Sequence, residues 1–236
     1  PFRARDESLQ HVWGTSWGMA TRMIGALVMV HGDDSGLMLP PRLAPYQVVI
    51  VPIPRGNWQE TVLPRARAIQ DDLTARGIRV RLDDRDTYTP GWKFAEWEMR
   101  GVPLRLEIGP RDLDKSQVLL ARRDTREKMP TPLDGLGARV ADLLDQIQRQ
   151  MFERARKFLD DHTTSAASWD EFETIMEGRP GFVVAAWCGD AACEAAVKTA
   201  TQATIRNLPF DGPAPEGACV RCGRPAQTTA YFAKAY

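Results

Sequence analysis

Net charge is the first thing this sequence lacks: 31 Lys and Arg balance 31 Asp and Glu in 236 residues. Without a polyelectrolyte excess there is no general attraction for nucleic acid, so any RNA contact has to come from a local, selective surface. A long apolar run is missing too. The longest, Gln47 to Ile53, is far too short to span a bilayer, and Pro1 to Gln10 is charged where a secretory leader is hydrophobic. No membrane is expected as a partner, and the cytoplasm is the expected location. Cysteine is absent from the first 187 residues, and the four that follow fall in two close pairs. In an intracellular chain that pattern favours a metal over disulfides. The sequence opens on Pro1 rather than Met, and its first strong pattern has no earlier strand or helix to pack against, so a preceding segment is expected.

What is present is enough apolar side chain, 43% of residues, for two small cores. Gln10 to Ser16 fits a short strand, and Met19, Met23, Ile24, Leu27 and Val28 recur at helical spacing over Met19 to Val30. Gly32, Gly36, Pro40, Pro41 and Pro45 then interrupt regular structure, which places a junction near Arg42. Val48 to Ile53 is β-branched and nearly continuous, the pattern of a central strand covered on both faces. A helix with Pro64 in its first turn follows and stops at Gly77. Beyond it come a half-exposed strand over Ile78 to Leu82, a helix over Trp92 to Arg100, and strands over Val102 to Ile108 and Gln117 to Ala121. The sum is an α/β domain with four or five strands. Val140, Leu143, Leu144, Ile147, Met151, Ala155, Phe158 and Leu159 draw one stripe along a helix from Leu136 to Leu159, placed to bridge two domains, and Phe182 to Ala186 is a short apolar strand.

The most specific chemical signal is the cysteine spacing. Four residues separate Cys188 from Cys193 and two separate Cys219 from Cys222, intervals at which one loop offers two thiolates to a tetrahedral metal. A closed shell of four sulfurs leaves no position for a substrate, so a structural Zn2+ is expected, with Gly189 and Gly223 relaxing the turns. Two disulfides, or four buried thiols, are the alternatives. The ending, Ala230 to Tyr236, alternates aromatic and small residues, unlike a loose polar tail, and is expected to be docked.

Ser16-Trp17-Gly18 with Arg22 gives a turn and an arginine near the positively polarised start of a helix, a geometry suited to phosphate. The whole run from Val12 to Arg22, followed by His31-Gly32-Asp33-Asp34-Ser35-Gly36-Leu37 and Leu39-Pro40-Pro41, resembles the end of the catalytic domain of the prolyl-tRNA synthetases. The resemblance implies that this is motif 3 of a class II fold. Arg22 would then be the catalytic contact to ATP phosphates, and Ser16, Trp17 and Gly18 would line the proline and adenylate pocket. Ala20 stands where the family pattern has a serine. His31, Asp33 and Asp34 follow a helix directly and are read as a capped loop, not a metal site.

A second run, Gly91-Trp92-Lys93-Phe94, Trp97-Glu98, Gly101-Val102-Pro103, Glu107 to Asp112 and Arg122-Arg123-Asp124, resembles the anticodon-binding domain shared by several class II synthetases. Proline anticodons carry two guanines, and a carboxylate can accept the N1 and N2 hydrogens of an unstacked guanine. Glu107 and Asp112 are the expected readers, Lys93, Arg111, Arg122 and Arg123 the expected backbone contacts, and Trp92 or Phe94 a stacking surface.

The expected architecture is therefore α/β: the end of a class II antiparallel-sheet catalytic domain over residues 1–42, a mixed-sheet anticodon-binding domain over 43–146, and a small α+β zinc domain over 147–236. The resemblance implies ligation of proline to its tRNA with ATP and Mg2+, a homodimer formed through the preceding catalytic domain, and a tail whose Tyr236 docks back toward that domain. Motifs 1 and 2 have no counterpart here, so these residues alone are expected to be inactive. The alternative is a non-catalytic RNA-binding module with a structural zinc, which leaves the Ser16 to Arg22 run unused.

Overall fold

The computed structural model describes every residue except Trp13, Arg179, Pro180, Pro213, Ala235 and Tyr236. The chain divides into two compact units, Pro1–Met151 and Phe152–Tyr236. No helix among the described residues is long and apolar enough to cross a membrane.

The first unit begins with a two-residue antiparallel pair, β1 (Phe2–Arg3) and β2 (Leu9–Gln10), followed by α1 (Arg22–His31). The strand expected over Gln10 to Ser16 is not formed: 11–12 and 14–20 carry no regular structure. A strand is held by neighbours, and among the described residues no other strand borders this segment. α1 starts three residues later than expected. None of its residues is buried, although Met23, Ile24, Val28, Met29 and Val30 are apolar.

Next come β3 (Val48–Pro52), α2 (Trp58–Thr61), α3 (Leu63–Ala75), β4 (Val80–Leu82), α4 (Pro90–Met99), β5 (Leu104–Ile108), α5 (Pro110–Asp114), β6 (Gln117–Arg122), β7 (Lys128–Pro132) and α6 (Leu136–Asp161). The five strands form a mixed sheet in the order β4-β3-β5-β6-β7, with β3 parallel to both neighbours and β5, β6 and β7 antiparallel. β3 is fully buried, as its composition required. β7 went unseen in the sequence because Pro130 and Pro132 interrupt it, and an edge strand is where a sheet tolerates proline.

Strand alternation gives this sheet two unlike faces. Val48, Ile50, Leu104, Leu106 and Leu120 join Ala66 and Leu73 of α3 and Val140, Leu144 and Ile147 of α6 in the main core. The opposite face carries Val49 and Val51, which cluster with Trp97 and Phe94 of α4 and with Val102. The apolar stripe of α6 is buried as far as Met151, whereas Phe152, Phe158 and Leu159 beyond it are exposed. Residues 33–44 are fastened to this same unit: Leu37 N–H donates to Met99 at 2.9 Å, Leu39 N–H to Gly101 at 3.1 Å, and Met38 and Ala44 are buried. Gly36 is indispensable in that contact. Its φ is +122°, and a Cβ there would lie 2.6 Å from the Met99 backbone.

The second unit contains β8 (Thr163–Ser165), α7 (Trp169–Gly178), β9 (Phe182–Trp187), α8 (Ala191–Thr201), β10 (Ala203–Asn207) and β11 (Thr228–Lys234). Its sheet runs β10-β11-β9-β8, so the chain's last strand is internal, paired on both sides. The docked tail is, over its described part, a strand whose Ala230 and Phe232 are fully buried. Phe232 meets Phe172 of α7 edge-on at 5.2 Å, with Val183, Ala185 and Val197 completing the core. Sequence periodicity missed α7, α8 and β10, which are short and rich in alanine, threonine and acidic residues.

Candidate functional site

Two constellations in the fold carry chemistry. In the second unit β9 ends directly before Cys188, Asp190 caps α8 by accepting the Ala192 N–H at 2.8 Å, and Cys193 lies in the first turn of that helix. Cys219 and Cys222 sit on a tight turn closed by Cys219 N–H to Arg224 O at 2.7 Å and by Gly223 N–H to Cys219 O at 3.0 Å. Gly223 has φ +71°. At Gly189, φ +80°, a Cβ would meet the Gln227 amide at 2.4 Å. All four Sγ atoms lie within 4.8 Å of one another. Cys193 to Cys219 is 3.6 Å and Cys222 to Cys188 is 3.7 Å, too long for a disulfide at about 2.05 Å. Sulfurs each roughly 2.3 Å from a tetrahedral metal stand at this kind of separation.

The donor set fits a metal in its chemistry as well. Cys188, Cys193 and Cys219 are buried and Cys222 is exposed. Burial pushes the Cys193 thiol up, whereas the Arg224 side chain pulls Cys222 down to about 6. Trp187 packs against the cysteines, and its buried indole N–H has no hydrogen-bond partner among the described residues. Protons lost to a metal would relieve the buried thiols and leave sulfur acceptors beside these donors.

The second constellation lies on the thinly covered face of the five-stranded sheet. Strand register sets Val49, Arg105, Ala121 and Lys128 in one row across β3, β5, β6 and β7, hence on one face. Arg105 lies over the Phe94 ring at 4.2 Å, and the Lys128 ammonium is 6.0 Å from the same ring. Trp97, Glu98, Arg105, Arg123, Arg126 and Lys128 line a pocket of about 120 Å³ here. Ligand pockets usually run to several hundred Å³, roughly 300 or more, so this one suits a planar group the size of one base better than a whole cofactor.

The expected site residues fare unequally. Glu107 is nearly buried and engaged, accepting from Arg105 at 2.9 and 3.0 Å with Lys128 at 3.8 Å. Asp112 reaches back to accept the Gly109 N–H at 2.9 Å, which closes the first turn of α5. Arg122 is buried, held by Asp124 at 2.7 and 2.9 Å and by Gln150 at 2.6 Å. Arg123 is buried as well. It donates to Asp33 at 2.5 and 2.9 Å, to the Glu98 carbonyl at 3.0 Å and to the Gly36 carbonyl at 3.3 Å. The Arg123 bond holds the Asp33 carboxyl far below the usual range. Asp33 is thus a tie between the 33–37 segment and β6, in keeping with a structural reading of the loop after α1. Arg111 is exposed.

Glu98 is the residue that sequence reasoning quoted without assigning. It is half-buried in the pocket, and its carboxylate has no hydrogen-bond or ion-pair partner among the described residues. The signal was its place four residues after Phe94, which puts both on one side of α4.

Lys93 requires a correction. Its side chain is 2% exposed, and its ammonium donates to the Asp83 carbonyl at 3.0 Å with the Asp83 carboxylate at 3.7 Å. Burial pushes the ammonium pKa down and the Asp83 charge opposes that. Burial alone would raise Asp83, but bonds from Arg85 and Trp97 and the Lys93 and Arg85 charges together hold it at about 2. Lys93 shares the inner side of α4 with Trp97, four residues on, so the position that looked like a phosphate contact is an internal ion pair. Lys93→Met is expected to cost about 3 kcal/mol of unfolding free energy in a denaturant titration while leaving RNA affinity unchanged. A phosphate contact would give the reverse.

Ser16, Trp17, Gly18 and Arg22 lie before and at the start of α1, all exposed, with Trp17 93% exposed. They line no cavity among those described. Tyr236 lies outside the described residues.

Comparison with known proteins bears on both constellations. Residues 47–143 match the family described as "Anticodon binding domain" and 169–236 the one described as "Prolyl-tRNA synthetase, C-terminal". The chain is 52% identical to "Proline--tRNA ligase" of Symbiobacterium thermophilum, over all of this chain and 49% of that protein. It is 51% identical to "Proline--tRNA ligase 2" of Clostridioides difficile, over all of this chain and 48% of that protein. The corresponding protein of Lachnoclostridium phytofermentans is 50% identical over the same shares, 100% and 48%. The chain therefore spans about half the length of the curated relatives it matches.

Proposed function

Because this chain belongs to the prolyl-tRNA synthetase family, we propose that it is the tRNA-reading and metal-stabilised part of an enzyme that joins proline to its tRNA. The observation that carries the reading is the unpaired Glu98 carboxylate in a base-sized pocket lined by Trp97, Arg105 and Lys128, with the Phe94 ring under Arg105. A carboxylate there can accept the N1 and N2 hydrogens of a guanine while a ring and a guanidinium stack on its faces. Glu98 replaces Glu107 and Asp112 as reader, because a carboxylate already neutralised by two cations, or closing a helix turn, has little left to offer a base. Arg105 and Lys128 lie beside the base, and the exposed Arg111 and Arg126 supply phosphate contacts. Arg122 and Arg123 hold the sheet end in shape.

Zn2+ on Cys188, Cys193, Cys219 and Cys222 serves as a structural ion, and a reducing cytoplasm keeps those thiols available. When bound it supplies folding free energy and no reaction step. For the rest of the enzyme, the proposal follows the family: proline's carboxylate attacks the ATP α-phosphate with Mg2+ present and displaces pyrophosphate, and the prolyl group of the resulting adenylate then passes to a hydroxyl of the terminal adenosine of the tRNA, releasing AMP. Ser16, Trp17, Gly18 and Arg22 form one wall of that site, Tyr236 docks toward it, and a homodimer forms through the other half. Within this chain the proposed divisions stay at 1–42, 43–146 and 147–236.

The exposed apolar side of α1 supports this placement, since Met23, Ile24, Met29 and Val30 are each more than half exposed. A monomer rarely presents so many neighbouring apolar side chains to water. Amide exchange of α1 is expected to be fast in this chain and at least 100-fold slower in the full-length enzyme. Equal exchange in both would remove the support. The functional reading itself is tested by titrating the chain with proline-specific tRNA. Binding that weakens steeply with salt, and that exceeds binding to an unrelated tRNA, is the expected result.

A further inference from the structure

Arg224 touches both halves of the thiolate centre. Its Nε donates to Cys222 Sγ at 3.4 Å and its Nη2 to Cys188 Sγ at 3.6 Å, so one guanidinium meets a cysteine from each pair. The same Nη2 donates to Asp190 Oδ2 at 2.5 Å, and the other Asp190 oxygen caps α8, the helix that carries Cys193. The Arg224 carbonyl accepts the Cys219 N–H at 2.7 Å. Through side chain and backbone, this residue is tied to every element that presents a cysteine. Four thiolates outweigh the charge of a divalent cation, so the loaded centre is negative, and a fixed cation with two N–H groups on its sulfurs stabilises it.

We propose that Arg224, held by Asp190, is a positioning residue of the four-thiolate centre, bridging the two cysteine pairs and raising their affinity for the metal. The proposal rests on the reading of the cysteines as a zinc site. Groups that hydrogen-bond to metal ligands from outside typically contribute about 10–100-fold in affinity. Lysine keeps the charge but cannot span two sulfurs and a carboxylate with a planar fork, so it should restore only part of the effect.

The test uses the whole 236-residue chain, with zinc affinity measured against a competing chelator and the spectrum recorded with Co2+ in place of zinc. Arg224→Ala is expected to weaken zinc binding 10–100-fold, and Arg224→Lys is expected to fall between it and the unchanged chain. Loss of N–H···S bonds raises the energy of the sulfur electrons. The sulfur-to-cobalt charge-transfer band of both variants should therefore move to longer wavelength, a change that merely looser packing does not produce. If Arg224→Ala does not fold, Arg224→Lys decides alone. Affinity within twofold of the unchanged chain together with an unmoved band overturns the proposal. If the unchanged chain binds neither zinc nor Co2+, the zinc reading fails and this inference falls with it, an outcome distinct from loss of the arginine effect alone.

Discussion

Stripping the proposed zinc from the four-cysteine centre, or replacing Cys219 with serine, is expected to unfold most of the second unit while leaving the five-stranded sheet of the first intact. The reason lies in what the centre connects. It joins the end of β9, the start of α8 and the 219–222 turn, and between β10 and β11 the described residues contain no helix or strand longer than an isolated bridge. Only a few backbone bonds otherwise pin that stretch, among them Val220 N–H to Ala186 at 2.9 Å and Gln227 N–H to Trp187 at 2.8 Å. The core beside it holds two large fully buried side chains, Phe172 and Phe232. Structural zinc contributes apparent free energies of about 10–16 kcal/mol in small zinc domains, against a total stability of roughly 5–15 kcal/mol for an ordinary domain. Losing the first should exceed what the second can absorb. Amide exchange after chelation is the measurement, with metal loss checked by elemental analysis. Protection should collapse in β9, β11 and α8 and persist in β3, β5 and β6. If β11 stays protected in metal-free protein, the centre is not what holds this unit together.

That centre was legible in the sequence because its information is local, two short intervals and two glycines. The same holds for β3, whose β-branched run has one sensible home, and for α3 with its proline start and glycine stop. What escaped depended on partners distant in sequence. β7 hides behind two prolines that only an edge position excuses. Glu107 and Glu98 look equivalent as letters, and only the fold shows one clasped by Arg105 and Lys128 and the other left open. Arg123 is an expected contact to the RNA backbone, yet Asp33, ninety residues away, draws it inside. Lys93 is different, because its four-residue spacing from Trp97 already put it on the inward side of α4. There a motif-based expectation overrode a periodicity that was readable from the start.

The open carboxylate gives the other large effect. Glu98→Gln is expected to weaken binding of proline-specific tRNA by about 10–100-fold, in line with roughly 1–3 kcal/mol for one bidentate base contact. The amide keeps one acceptor oxygen but sets an NH2 group against one of guanine's two donors, so the substitution keeps one bond and turns the other into a repulsion. Folding should be unaffected, since the Glu98 carboxylate has no partner among the described residues to lose and the bond from Arg123 goes to its backbone carbonyl. Two controls separate base reading from general electrostatics. The slope of affinity against salt should stay unchanged in Glu98→Gln, because no phosphate contact is removed, whereas Arg126→Ala should lower it by about one. A tRNA whose anticodon guanines are replaced by adenine should no longer favour the unchanged chain over Glu98→Gln, because an amide can accept from adenine N6 and donate to N1 whereas a carboxylate can only accept. Glu107→Gln acts through Arg105 and Lys128, which lose their counter-charge, and should cost stability more than affinity. If Glu98→Gln binds as tightly as the unchanged chain while Glu107→Gln loses tenfold or more, the reader is the engaged carboxylate and the assignment of the pocket to a guanine edge is wrong.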